Sequence, residues 1–155
     1  MTAQTAEIVR VGADPFRAHL GMLLDRTGLP WPVLAFLADV EPVLVRDLLF
    51  GDRGRRLSEL PLSAAQSLFA LDEQRVRASA HRWLPSRQTR ADLTQLLADG
   101  FPPASLARYC RLTPTELRCL LGAPRCLELT ALLARSARLQ YAALHPHAGR
   151  VRAAR

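Results

Sequence analysis

The 155 residues give a chain of one medium domain or two small ones, with 49% hydrophobic and 6% aromatic residues and a formal net charge of +7. Leu and Ala dominate the apolar set, which favours helix over strand and predicts an all-α protein. There is no apolar run long enough to cross a bilayer and no signal-like apolar segment in "MTAQTAEIVRVGADP", so a cytoplasmic protein without a membrane partner is expected.

In chain order, residues 1–14 carry no periodic pattern and are expected to form a flexible N-terminus. Leu20, Leu23 and Leu24 then make an apolar stripe of helical spacing, ended by "RTGLP". Short helices over about 31–38 and 42–50 follow, with Ala35 at the fifth position of the first. Two helices separated by about three residues, with a small side chain where they cross, outline a helix-turn-helix. Leu34, Ala38, Val40, Val45 and Leu48 are its expected buried set, and Asp39 stands in the turn where Gly is usual. "SAAQ" (63–66) predicts the start of a helix over about 64–71 that connects the two halves of the chain. Trp31 is expected in the core, and Trp83 in the linker over 76–88.

From residue 89 the pattern returns. At an offset of 72, Gly28 meets Gly100, Pro30 meets Pro102, Leu34 meets Leu106, Ala35 meets Ala107, Pro42 meets Pro114 and Arg46 meets Arg118. "HLGMLL" (19–24) matches "DLTQLL" (92–97) with one residue of slip. A unit of about 30 residues thus occurs twice, which is a duplication and not a solenoid. "TRAD" (89–92) is a weak helix start, whereas "TPTE" (113–116) offers Thr113 as N-cap, Pro114 at the first helical position and Glu116 as the return partner. Leu106, Cys110, Leu112, Leu117 and Leu120 are the second buried set, and Arg111 stands in the second turn.

The organisation expected is therefore a flexible 1–14, a first helix-turn-helix unit with connecting helix over 15–75, a linker over 76–88, a second unit over 89–142 and a basic flexible tail over 143–155. The order of parts resembles a group of small actinobacterial and actinophage regulators with two helix-turn-helix units: "LLFGDRGRR", then "LSAAQSLFAL", then "TRADLTQLLADGF" and "LELTALLARSARL". The resemblance spans roughly residues 15–140 and departs at "DVEPVLV", where small and polar residues are usual. It implies DNA binding and transcriptional regulation; the architecture expected is all-α, with tandem helix-turn-helix units packed around a connecting helix, double-stranded DNA as partner and a nucleoid-associated place in the cytoplasm.

The charges point the same way. Residues 1–77 hold nine Arg against ten acids (−1), and residues 78–155 hold twelve Arg against four (+8); there is no Lys. Arginine suits phosphate and guanine through its planar fork. A recognition helix offers its early outward residues to DNA, which in the second unit are Thr113, Thr115, Glu116, Arg118 and Cys119, flanked by Arg108 and Arg111. The first unit has Glu41, Val43, Leu44, Arg46 and Asp47 there, two acids and two aliphatics around one Arg, a set better suited to protein, so Val43 and Leu44 are the candidate protein-interaction residues. "GDRGRR" adds Arg53, Arg55 and Arg56, which an extended Gly-containing backbone could lay in a minor groove. Cys110, Cys119 and Cys126 lack metal-ligand spacing, and no catalytic constellation or phosphate-cradling Gly loop is legible. Neither metal, cofactor nor enzymatic activity is expected. The rival readings are an adaptor of antitoxin, sigma-factor-partner or phage-immunity type acting through the first unit, with a homodimer or another protein as partner, and a sequence-blind nucleoid binder.

Overall fold

The computed structural model describes residues 8–145, which are mainly helical with two short antiparallel sheets. The chain divides into two compact units between Val76 and Arg77. The first contains β1 (Arg10–Gly12), α1 (Asp14–Thr27), α2 (Trp31–Ala38), α3 (Pro42–Phe50), β2 (Glu59–Pro61) and α4 (Leu62–Ala70); α5 (Glu73–Ser79) runs across the division. The second contains β3 (Trp83–Pro85), α6 (Arg87–Ala98), α7 (Pro103–Tyr109), α8 (Pro114–Leu120), β4 (Arg125–Leu127) and α9 (Glu128–Leu144).

The duplication is about twice as long as the sequence pattern indicates. Each unit runs strand, three helices, strand, helix, and the outer strands pair in the same register: Val11 opposite Leu60, Leu84 opposite Cys126. The flanking hydrogen bonds repeat as well. Ala13 N–H donates to Ser58 O at 2.9 Å and Leu62 N–H to Val9 O at 2.8 Å; in the second unit Ser86 N–H donates to Pro124 O at 3.1 Å and Glu128 N–H to Arg82 O at 2.8 Å. The offset is 73 through β1 and α1, 72 through α2 and α3, and 66 through β2 and α4, because the second unit lacks six residues after its third helix.

Within each unit the first three helices and the fourth bury one apolar set. Leu20, Leu23, Leu34, Val45, Leu48, Leu60 and Leu68 are buried in the first; Leu93, Leu96, Leu106, Leu117, Leu120 and Leu133 in the second. Each fully buried side chain of this kind contributes about 1.5–3 kcal/mol. Ala35 and Ala107 are buried where the second and third helices meet, as their spacing predicts. After each, the chain turns the same way: Asp39 and Arg111 adopt left-handed backbone, φ 55° and 57°. Val40 N–H and Leu112 N–H return to Ala35 O and Ala107 O at 3.0 and 2.8 Å, closing the helix ends. Leu112 itself is only half-buried.

Several expectations change. The helix at 62–70 is no connector: α4 is the fourth helix of the first unit, entered straight from β2, with Pro61 and not Ser63 at its cap. Likewise α6 starts at Arg87, so Thr89 and Asp92 are interior, both buried. Asp92 accepts from Gln88 at 3.0 Å and pairs with Arg138 at 3.1 Å. The linker region 76–88 holds the end of α5 and the paired strand β3, where Trp83 is exposed. Of the expected flexible N-terminus, residues 10–12 are paired as β1; residues 1–7 lie outside the described residues, as do 146–155 of the expected tail. Residues 143 and 144 belong to α9, which is longer than α4 and docks Tyr141 on Phe101, its hydroxyl donating to Asp99 O at 2.9 Å. Among the described residues no helix is long and apolar enough to cross a membrane.

Candidate nucleic-acid interface

In the second unit α7 ends with Arg108 exposed, and α8 opens on the full capping box that "TPTE" predicts. Thr113 Oγ1 accepts from Glu116 N–H at 3.1 Å, and Glu116 Oε2 accepts from Thr113 N–H at 3.2 Å. The Glu116 carboxylate is thereby held at the positive end of the helix, where its charge is used structurally. Leu117 and Leu120 face the core, which turns Thr115, Arg118 and Cys119 outward, all exposed. Arg118 Nη2 donates to Thr115 Oγ1 at 3.4 Å, a long bond that leaves the fork open to other acceptors. Thr113, Thr115, Arg118, Arg108 and Arg111 are thus all exposed on one helix pair and its turn.

The first unit distributes its chemistry differently. "GDRGRR" is not an extended strand. Asp52 and Arg55 exchange two backbone bonds of 2.9 Å, and Arg53 and Gly54 both have positive φ, 49° and 75°, the pattern of a two-residue type I′ hairpin turn. Gly51 is required before it: its φ is 79°, and a Cβ there would meet Arg55 O at 2.5 Å. Arg53, Arg55 and Arg56 stand exposed on this projection. Arg17, from α1, clasps both flanks, Nε donating to Leu48 O at 2.7 Å and Nη2 to Leu57 O at 2.6 Å, while Nη1 pairs with Asp14.

On α3, Val43 is 56% exposed as expected, but Leu44 is half-buried and Arg46 is paired with Asp47 at 3.1 Å. One helical repeat beyond Val43 stands Phe50, 64% exposed, with Trp31 edge-on at 6.3 Å. Trp31 is therefore half-buried beneath Phe50 and not a core anchor. Sequence reasoning missed Phe50, whose i+7 spacing from Val43 was available, and Arg17, whose acceptors lie 31 and 40 residues away. The candidate DNA contacts fall on both units, five side chains on the second and three on the first.

All three cysteines are free thiols: Cys119 exposed, Cys110 and Cys126 buried. Burial pushes the Cys110 thiol up to about 12. Among the described residues no group of three His, Cys, Asp or Glu could hold a metal ion. No protein-family model, curated protein or solved structure matches the chain.

Proposed function

We propose that the protein is a DNA-binding transcriptional regulator with tandem helix-turn-helix units, the second being the main reader. The observation that carries this is α8: a capped helix whose outward face is Thr115, Arg118 and Cys119, with Arg108 and Arg111 exposed beside it. Hydroxyls and forked cations at the start of an exposed helix suit base edges and phosphates. The equivalent helix α3 offers Glu41, Val43 and an Arg46 already paired with Asp47, so it makes a poor groove reader. The first unit contributes instead through the hairpin arginines, which project as a compact basic tip.

Arg118→Ala is expected to weaken duplex binding by roughly 1–3 kcal/mol and to relax preference at one base position. Arg111→Gly, which suits the left-handed backbone, weakens binding to all sequences about equally, as loss of a phosphate contact does. Unchanged affinity of the double variant, with its circular dichroism intact, overturns the reading. A second reading, an adaptor docking protein through the first unit, is favoured by the exposed Val43 and Phe50. Capture of a protein partner lost in Val43→Ser with Phe50→Ser, in a protein that binds no duplex, would select it.

A further inference from the structure

The two units carry the same arginine at the fourth position of their first helix, Arg17 in α1 and Arg90 in α6. Arg17 has three partners: Leu48 O, Leu57 O and Asp14. Arg90 has lost every counterpart. Arg87 stands in the place of Asp14. Leu120 O, equivalent to Leu48 O, accepts instead from Ala123 N–H at 3.1 Å. Ala123 O, equivalent to Leu57 O, accepts from the Ser86 hydroxyl, and Ser86 replaces an alanine of the first unit. The second unit thus closes this corner with a hydroxyl and an amide, and the guanidinium is released from the task.

Arg90 Nε is buried with no hydrogen-bond acceptor among the described residues. No carboxylate among the described residues of the second unit answers it. Asp92 is engaged with Gln88 and Arg138, Asp99 with Gln95, Glu116 with the α8 cap and Glu128 with Arg82. Arg87, one turn before Arg90, is exposed and stands where Asp14 meets Arg17 in the first unit. Two like charges one helical turn apart repel modestly, and an anion between them relieves that repulsion.

We propose that Arg87 and Arg90 form an anion subsite of the second unit that takes a phosphate group, through the bidentate geometry that guanidinium offers to phosphate oxygens. The phosphate is either free or part of a nucleic-acid backbone.

The test follows the side-chain Nε–Hε resonance of Arg90 in the full-length protein, assigned by its disappearance in Arg90→Met. Inorganic phosphate, against chloride at matched ionic strength, is expected to shift it saturably, and Arg87→Met to weaken that binding severalfold. No saturable shift overturns the subsite. A short duplex of mixed sequence separates the sources. If backbone phosphate is the ligand, the duplex moves the same resonance, and each Met variant reduces the log–log salt slope of duplex binding by about 0.9. If only inorganic phosphate moves it, the subsite stands with a free anion as ligand, even for a protein that binds no DNA. Thermal midpoints settle the structural alternative: Arg17→Met lowers the midpoint, whereas Arg90→Met leaves it unchanged. An equal fall in Arg90→Met makes Arg90 a clamp like Arg17 and overturns the proposal.

Discussion

Arg17 shows how much one side chain can hold when its acceptors come from three places. It ties α1 to the end of α3 and to the strand side of the hairpin, with little exposure. Removing it leaves two carbonyls and a carboxylate without their donor, so Arg17→Met is expected to cost about 2–4 kcal/mol in urea unfolding, charge-assisted bonds being worth about 1.5–3 kcal/mol each. Cys110 is expected to contribute to the alkaline limit of stability. Its thiol, ordinarily near 9, is raised by burial to about 12, and Tyr109 is raised by burial beside it. Between those values the unfolded chain releases a proton that the fold retains. Stability is therefore intact below pH 9 and falls as pH rises toward 12, at about 1.4 kcal/mol per unit of pKa difference for the thiol. Far-UV circular dichroism against pH checks this, and Cys110→Ala should flatten the fall. At neutral pH a thiol reagent should label Cys119 alone until the protein is unfolded.

Helix α8 spans only Pro114–Leu120, short enough that its cap decides much of its stability. Thr113→Ala is expected to cost about 1 kcal/mol by thermal unfolding, and to weaken duplex binding by misplacing the helix start. On α3 the two aliphatics part company: Val43→Ser should leave the melting temperature nearly unchanged, while Leu44→Ser lowers it, because Leu44 is half-buried. Element by element, the α2–α3 and α7–α8 pairs were legible because their apolar spacing, their prolines and the "TPTE" box are local signals. The strands were not. "RVG", "ELP", "WLP" and "RCL" are three residues each, too short for alternation, and their partners lie far along the chain. The six-residue difference after the third helix also shifts the repeat out of register, which hid the equivalence of α4 with α9. Arg90 was illegible for a related reason: what sets it apart is that it lacks the partners Arg17 has.

At the scale of the whole molecule the division between Val76 and Arg77 separates charge as well as packing. Cutting after His81 leaves each strand pair intact and gives fragments of −1 (nine Arg, ten acids) and +8 (twelve Arg, four acids). Each fragment is expected to melt cooperatively. The basic fragment should retain duplex binding, with a salt slope of roughly −4 to −5 if four to six phosphates are neutralised. Binding by the first fragment alone would move the reader to the hairpin arginines and away from α8.

The strand clasps have a kinetic consequence. Helices and their turns form from neighbours in sequence, but Arg10 and Glu59 meet across 49 residues, so each clasp must wait for the three helices between its strands. Such late contacts are expected to be weakly formed in the folding transition state. Weakening them, as Leu60→Ala or Cys126→Ala would, is expected to accelerate unfolding while leaving the folding limb of the chevron almost where it was. On that expectation the clasps set how long each unit stays folded, and the helices set how fast it folds.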